Sequence, residues 1–154
     1  MTICAITFDG ASTNKTMCTL LGASFSFFSL NACIKHPVSN DPVYLILDIC
    51  HMMKLIRNTL AESPFLINGE NEKINWAFIK QLFEWECAES LKLATRLTKR
   101  HIEFKNNIMN VRLAVQVLSD SVAKALRYCE HNFVEFRGAG ATAEFCEIFN
   151  MAFD

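Results

Sequence analysis

The chain has 154 residues, of which 51% are hydrophobic, and a formal net charge of -1 at pH 7. This length suits one domain of ordinary size, or a small domain with part of another, and the apolar content is ample for a core. The balanced charge excludes a basic field over the whole chain, so a charged binding site has to be local. Because no apolar run reaches the roughly 18 residues that span a bilayer, we expect no membrane partner.

The first third of the chain predicts a small α/β segment. Residues 3–8 are mostly apolar and end at Asp9 in a turn, which indicates a first strand. Residues 12–21 predict a short helix and residues 25–30 a second strand. After a loop that contains Pro and Asn, residues 43–47 predict a third strand.

The remainder of the chain is predicted to be helical, because its apolar residues recur at steps of three and four. In the helix over residues 76–88, the side chains of Lys80, Glu84 and Glu86 are expected to face outward. The fold class is therefore mainly α with a small α/β start of about three strands and one helix. The predicted helices cover residues 48–61, 76–88, 107–128 and 142–152, with a basic segment over residues 91–104.

The helix that Asp48 opens contains the first candidate binding site. Asp48 follows a predicted strand and belongs to a residue type that caps helix N-termini well. Ligands and anions often bind where strands end and helices begin in α/β sheets. An N-cap followed by a solvated polar stripe accounts for the same residues without a ligand. At about 100° per residue, four polar side chains share one arc opposite the apolar face: His51, Lys54, Arg57 and Asn58.

Other polar residues are candidates that also have structural explanations. Asp9 ends a strand, where a carboxylate either ligates a metal or forms a turn. Gln116 and Ser119 are polar residues of the most apolar predicted helix, where they either bind a ligand or satisfy structural hydrogen bonds. The chain has no phosphate loop of the Walker type, so a nucleotide would need another geometry, with Lys54 and Arg57 meeting its phosphates.

Five segments of the sequence, in order, resemble the P element transposase family and its THAP-type relatives. The similarity spans nearly the entire chain, and its most specific parts are the helix opened by Asp48 and the run Leu-Thr-Lys-Arg-His that starts at Leu97. The five segments are residues 8–14, 48–60, 97–102, 113–123 and 141–145.

This resemblance implies a cut-and-paste DNA transposase whose RNase H-like catalytic domain is interrupted by a helical insertion that binds GTP. Residues 1–42 would be a partial RNase H-like domain, and residues 43–154 a truncated GTP-binding insertion domain. GTP with Mg²⁺ would assist the pairing of DNA ends, and DNA would be a partner only within a full-length transposase. The resemblance also implies a nuclear protein. A second copy of the same chain is a further possible partner, which would give a homo-oligomer.

The resemblance assigns roles to individual residues. Asp9 matches the second acidic residue of the family's Asp-Asp-Glu metal triad, which makes it a candidate catalytic and metal-binding residue. Asp48, His51 and Lys54 match an Asp-x-x-His-x-x-Lys motif of the nucleotide site. The other two triad acids would lie outside this chain, so we expect no DNA cleavage by this polypeptide alone. The alternative function is a non-catalytic helical protein-interaction module.

Overall fold

A computed structural model describes residues 3–89, 92–93 and 95–153. The chain forms two compact units, Met1–Met52 and Met53–Asp154. The division between them falls inside helix α2 (Ile49–Glu62). The first unit therefore includes the third strand, which the sequence analysis assigned to the helical domain.

The first unit is a three-stranded sheet with one helix. Strand β3 (Pro42–Leu47) lies in the centre, parallel to β1 (Ala5–Phe8) and antiparallel to β2 (Cys33–Lys35). Helix α1 (Ser12–Leu20) contributes Cys18 to the core of this unit. The predicted first strand, first helix and third strand are thus confirmed. The other buried residues of this core are Ala23, Ile34, Val43 and Leu45.

The predicted second strand over residues 25–30 is wrong. A single bridge joins Ser24 to Asn31, and the residues between them form a turn in which Phe27 and Phe28 are 93% and 94% exposed. The second strand of the chain is instead β2, which pairs with β3 and includes the buried Ile34. A phenylalanine-rich run has high β-propensity, but burial against neighbours decides whether such a run becomes a strand.

The second unit is helical apart from one short hairpin. Its core includes Met53 and Leu60 of α2 together with residues of the helices that begin at Trp76, Val111, Asp120 and Gly140. The fold class predicted from sequence, mainly α with a small α/β start, is confirmed. The elements after α2 are β4 (Leu66–Ile67), β5 (Lys73–Ile74), α3 (Trp76–Ala88), α4 (Lys99–Ile102), α5 (Val111–Val117), α6 (Asp120–Asn132) and α7 (Gly140–Phe153), with 3₁₀ turns at Phe104–Asn107 and Val134–Phe136.

The prediction of a single helix over residues 107–128 is wrong, because the helix is interrupted between α5 and α6. Ser119 has an extended backbone there and caps α6, with its hydroxyl accepting from the Val122 amide. A serine hydroxyl competes with helical backbone bonds and favours caps over helix interiors. The apolar period continues through the break, since Val117, Leu118 and Val122 are all buried.

Helix α3 also differs from its predicted orientation at one position. Glu86 was expected to face outward, but it is 3% exposed. Its carboxylate accepts hydrogen bonds from the Leu93 amide and from the Thr95 hydroxyl. These donors come from the segment after α3, so the spacing within the helix could not indicate the burial.

Among the described residues, no helix has both the length and the apolar character needed to cross a membrane.

The thiols of Cys129 and Cys146 lie in the core of the second unit, where burial raises their pKa values to about 11 and about 12. Such thiols act as apolar core groups at neutral pH.

Candidate functional site

Two candidate residues lie at one edge of the sheet in the first unit. Strands β1 and β3 are parallel and in register, with Phe8 opposite Leu47. Asp9 follows Phe8 and Asp48 follows Leu47, so both residues lie at the edge of the sheet where the parallel strands β1 and β3 end. The exposed Asp9 accepts hydrogen bonds from the Ala11 amide and the Asn14 side chain, which holds the turn before α1.

Asp48 caps helix α2, as predicted. Its two carboxylate oxygens accept from the amides of Cys50 at 3.1 Å and of His51 at 3.3 Å. These are N–H groups of the first turn that have no partner inside the helix. His51 is half-buried beside this cap. A cap of this kind stabilises α2 whether or not a ligand binds.

The polar arc predicted for α2 is not correct at Arg57. The buried side of the helix within the second unit is formed by Met53, Arg57 and Leu60. Arg57 is 0% exposed, whereas the apolar Leu55 is exposed. Lys54 and Asn58 are partly exposed, as a polar stripe requires. The buried face of α2 is thus rotated about the helix axis relative to the predicted face, and the Arg57 guanidinium lies on the buried side.

The buried Arg57 holds the turn that precedes α5. Its Nη2 donates to the carbonyl of Asn107 at 3.1 Å and to that of Ile108 at 3.2 Å, and its Nε donates to Asn58 Oδ1. The guanidinium also lies 5.7 Å from the centre of the Phe104 ring. Burial lowers the pKa of Arg57 from its ordinary value. The residue therefore has a structural role here, which argues against direct contact with a phosphate.

Asn58 extends this contact. Its side-chain amide donates to the Ile108 carbonyl, so Arg57 and Asn58 both donate to the same backbone turn. On the far side of the turn, Arg100 donates to the side chain of Asn107, which donates back to the Arg100 carbonyl. The predicted site residues of α2 are in this way connected to α4.

His101 is a buried polar residue that sequence reasoning did not select. Its Nδ1 accepts from the Thr98 amide at 3.0 Å, and its Nε2 lies 3.0 Å from Gln116 Oε1. This pattern requires a neutral ring that carries its proton on Nε2. Burial, reinforced by the charges of Arg57 and Arg100, lowers the pKa of His101. The signal in the sequence is the spacing Thr-x-x-His, which forms a reciprocal cap at the start of α4.

Gln116 and Ser119 lie together at the break between α5 and α6. The Ser119 hydroxyl donates to the Gln116 carbonyl at 2.9 Å and lies 3.0 Å from the hydroxyl of Ser121. Because Gln116 also accepts from His101, hydrogen bonds connect the break to α4. The N-terminus of a 13-residue helix starts at this point, so amide dipoles and hydroxyls converge there.

The structure thus brings four of the predicted site residues into one region of the second unit, which we call the α4–α5 network. It consists of two hydrogen-bonded groups, one around the turn at residues 107–108 and one around His101, which meet at the adjacent α4 residues Arg100 and His101. Lys54 is one helical turn before Asn58, whereas Asp9, Asp48 and His51 belong to the first unit. The predicted residues in the network are Arg57, Asn58, Gln116 and Ser119.

The described residues of the second unit form at least two cavities. The larger, about 740 Å³, is lined by residues of β5, α3, α6 and α7, including Lys73 and Arg127. In its wall, the Glu130 carboxylate accepts from the amides of Gly138 and Gly140 at the start of α7. A smaller cavity of about 540 Å³ lies between α3 and the 3₁₀ turn that follows α4. Volumes of this size are typical of small-ligand sites.

The described residues contain no group of three or more His, Cys, Asp or Glu side chains placed to hold a metal ion. Asp9 and Asp48 could each supply carboxylate oxygens, which Mg²⁺ prefers as ligands.

Comparison with known proteins connects this architecture to transposases. The family model described as "TNP-like, GTP-binding insertion domain" matches residues 50–154. The chain is 28% identical to the DNA transposase THAP9 of Homo sapiens over 158 aligned residues, and it spans 17% of that protein. It is 27% identical to the Transposable element P transposase of Drosophila melanogaster over 99% of its own length and 20% of the relative's.

A solved structure agrees with these relatives. A chain of the Drosophila P element transposase strand transfer complex matches 97% of this chain with a TM-score of 0.84 and 26% identity. The match covers 33% of that chain. This protein therefore spans much less than two thirds of the transposases that it is similar to, and the likeness extends over both of its units.

Proposed function

The chain belongs to the family of TNP-like, GTP-binding insertion domains, and we propose that its helical unit binds a guanine nucleotide together with Mg²⁺. Its resemblance to the P element transposase family is confirmed by the relatives and by the solved structure. Within a full-length transposase of this type, the bound nucleotide would assist the pairing of DNA ends. The protein would then work in the nucleus, with residues before α2 forming part of an RNase H-like domain.

One observation supports this proposal above the others. The family match over residues 50–154 coincides with the helical unit, Met53–Asp154, almost residue for residue. The part of the chain that resembles a GTP-binding insertion is thus a compact unit with its own core. A unit with its own core can in principle fold alone.

We propose that the nucleotide binds beside the α4–α5 network. The Ser119 hydroxyl and the Ser121 amide in the first turn of α6 offer donors to phosphate oxygens, and Gln116 offers a side-chain amide to a purine base. Lys54 supplies a cation on the partly exposed side of α2. Arg57 and Asn58 would position the turn at residues 107–108 without touching the ligand.

Asp48 and His51 enter the proposal through the family motif that they form with Lys54. Asp48 would help to hold Mg²⁺, and His51 would lie next to it at the start of α2. Asp9 would serve as a metal ligand of the RNase H-like catalytic centre in a longer protein. The other two acids of such a triad would come from residues outside this chain.

Thermal unfolding of the whole chain with and without nucleotide tests the binding proposal. We expect GTP with Mg²⁺ to raise the melting temperature, because a ligand at 100 times its Kd stabilises the folded state by about 2.7 kcal/mol. ATP should have little effect, because the proposed site is for a guanine nucleotide. Lys54→Ala should reduce the GTP effect with unchanged circular dichroism, whereas Lys35→Ala in strand β2 should not. No stabilisation of the folded wild-type chain at millimolar GTP would refute the proposal.

Asp48 needs a variant that separates its two roles. Asp48→Asn keeps a side-chain oxygen that can cap α2 but removes the negative charge. We expect this variant to retain the melting temperature of the free protein and to lose the Mg²⁺ dependence of GTP binding. If GTP and Mg²⁺ stabilise Asp48→Asn as much as the wild type, Asp48 acts only as a helix cap.

A further inference from the structure

The hydrogen bonds that join Thr98, His101 and Gln116 run in one fixed direction. They start at the backbone amide of Thr98, which can only donate and lies 3.0 Å from His101 Nδ1. Nδ1 therefore has to accept, and a neutral ring that accepts at Nδ1 carries its proton on Nε2. Burial lowers the pKa of His101, so the ring is neutral near pH 7.

This direction determines which end of the Gln116 amide faces His101. His101 Nε2 lies 3.0 Å from Gln116 Oε1. Because Nε2 is the donor, the glutamine atom beside it has to be the acceptor, and the amide nitrogen in the same place would set one donor against another. Oε1 is thus engaged by His101, and the NH₂ group is the end of Gln116 that is left for another partner.

The NH₂ group of Gln116 is both unpaired and accessible. Its nitrogen has no hydrogen-bond partner among the residues that the structure describes, and the residue as a whole is half-buried. In the described part of the chain, the side-chain atoms that are buried without a partner are Arg57 Nη1 and Trp76 Nε1. Gln116 Nε2 is not one of these enclosed atoms, so its two N–H donors can reach a ligand.

The fold restrains both sides of this hydrogen bond. His101 is 2% exposed and forms a reciprocal cap with Thr98 at the start of α4. Gln116 lies near the end of α5, where its backbone carbonyl accepts from the Ser119 hydroxyl at 2.9 Å. An unrestrained glutamine can turn its amide over to suit either kind of partner. Here the reversed amide would lose the bond to His101 and oppose its Nε2–H.

We propose that His101 is a positioning residue that determines which purine base the site accepts, because it fixes the orientation of the Gln116 amide. The inference rests on the proposed function, in which Gln116 meets the base of the nucleotide. Guanine has two acceptors, O6 and N7, on the edge where adenine has the acceptor N7 and the donating amino group N6. The NH₂ group of Gln116 matches the guanine edge and opposes adenine N6.

A glutamine without this restraint would not exclude adenine. Glutamine amides bind adenine through both ends at once, with the oxygen accepting from N6 and the nitrogen donating to N7. In this protein His101 already occupies the Gln116 oxygen, so the adenine pairing is disfavoured. Hydrogen-bond matching of this kind separates a correct base from a wrong one by roughly 10- to 100-fold in affinity.

Calorimetric titration of the whole chain with GTP, inosine triphosphate and ATP, each with Mg²⁺, tests the base contact. Inosine keeps the O6 and N7 acceptors of guanine but lacks its 2-amino group. We therefore expect inosine triphosphate to bind almost as tightly as GTP, and ATP roughly 10- to 100-fold more weakly. Inosine triphosphate binding as weakly as ATP would show that the site recognises the 2-amino group, which would overturn the inference.

His101→Glu tests the positioning role because it keeps the cap and removes the donor. A glutamate three residues after a Thr N-cap accepts from the N-cap amide, and the nearby charges of Arg57 and Arg100 favour its carboxylate. Because a carboxylate only accepts, Gln116 should turn its NH₂ group inward and present its oxygen to the base. We expect weaker GTP binding, tighter ATP binding and loss of the preference for GTP.

The matched control is His131→Glu, at an exposed histidine of α6, which should keep the wild-type preference. Circular dichroism checks that both variants are folded. If His101→Glu weakens GTP and ATP binding by the same factor, His101 supports the structure without determining the base, and the inference fails.

Two further variants test the same hydrogen bonds without a new charge. In His101→Gln, the side-chain oxygen can accept from Thr98 and the NH₂ group can donate to Gln116, so the preference for GTP should persist. Gln116→Leu removes the amide and should bring the affinities for GTP and ATP close together. An unchanged preference for GTP in Gln116→Leu would overturn the inference.

NMR of the imidazole nitrogens in isotope-labelled protein tests the direction of the hydrogen bonds without a ligand. We expect the His101 proton on Nε2 near neutral pH, and a proton on Nδ1 would overturn the inference. Absence of any GTP binding by a wild-type chain with the expected tautomer would refute the proposed function, and the base contact with it. GTP binding with an unchanged preference in folded His101→Glu would refute the inference alone.

Discussion

Arg57 shows how a buried charge can be held without a carboxylate. Its guanidinium is completely enclosed, with Nη2 and Nε bonded to two backbone carbonyls and one amide oxygen and an aromatic ring beside it. Nη1 has no hydrogen-bond partner among the described residues. The planar fork of arginine suits several acceptors at once, which a lysine ammonium on a flexible stem does not. The residue fixes the turn that starts α5, and through it the position of the α4–α5 network.

We predict that Arg57→Met lowers the free energy of unfolding by about 2–3 kcal/mol. The methionine fills part of the space but removes the hydrogen bonds that the guanidinium gives to the carbonyls of residues 107 and 108, and hydrogen bonds from a charged group are worth about 1.5–3 kcal/mol. Chemical denaturation measures the change. Arg112→Met, which removes an exposed cation, should stay within about 0.5 kcal/mol of the wild type. A comparable loss in both variants would mean that the burial of Arg57 is not what matters.

His101 should make stability depend on pH. Its pKa in the folded protein is lowered by burial from the ordinary value of 6.5. Between 6.5 and the lower folded value, the unfolded chain binds more protons than the folded one, so stability falls as the pH falls through this window. The loss is complete once the pH is below the folded pKa.

We therefore expect His101→Gln to flatten the dependence of the free energy of unfolding on pH between about 7.5 and 5.5, whatever its effect on stability at pH 7.5. Denaturant titrations at several pH values measure this slope. His131→Gln, at an exposed histidine near the end of α6, serves as the control and should keep the wild-type slope. An unchanged slope in His101→Gln would show that another group dominates the acid response.

At the scale of elements, the break between α5 and α6 determines where the candidate site can form. One continuous helix would bury the backbone amides of residues 120–122 in its own hydrogen bonds. The cap at Ser119 instead starts a new helix, so the first amides of α6 take partners outside the helix backbone, as the Val122 amide does with the Ser119 hydroxyl. The same break directs Ser119 toward Gln116 and the Asp120 amide toward the side chain of Asn150 on α7.

We predict that Ser119→Ala destabilises the protein by about 1 kcal/mol through loss of the cap, and that Ser119→Asp does not, since aspartate caps equally well and suits the helix dipole. Both variants should weaken GTP stabilisation, Ser119→Asp more strongly, because its charge repels phosphate. Thermal unfolding with and without GTP measures both effects. Full GTP stabilisation of Ser119→Asp would place the nucleotide away from α6.

At the scale of the whole molecule, the chain consists of two units with separate cores. The first unit exposes large apolar side chains, among them Phe27, Phe28 and Leu30 in the turn before β2. Exposed apolar patches of this kind mark contact surfaces for other proteins or further copies of the same protein. This observation supports the alternative of an interaction module and the proposed homo-oligomer.

We expect Phe27→Ser/Phe28→Ser to reduce self-association at high concentration without lowering the melting temperature, because both rings are almost fully exposed. Static light scattering gives the mass of the species in solution. The matched control Phe145→Ser/Phe149→Ser changes a partly buried ring pair in α7 and should lower the melting temperature. Association that is unaffected in Phe27→Ser/Phe28→Ser would mean that the pair is not a contact surface.

The sequence by itself determined the elements whose residues interact with near neighbours in the chain. The strand before Asp9, the cap at Asp48 and the extent of α3 depend on local spacing and propensity, so they were predicted correctly. The resemblance to the P element transposase family was also readable, because it rests on short runs of specific residues.

Only the tertiary structure decided which polar residues face inward. The carbonyl acceptors of Arg57 lie 50 and 51 residues further along the chain, the donors to Glu86 come from the segment after its helix, and His101 depends on Gln116 in another helix. The turn at Phe27 and Phe28 was mistaken for a strand because no spacing within it reveals that β2 occupies the place beside β3. A polar group can be buried only when distant residues supply its partners, and short-range periodicity contains no information about those partners.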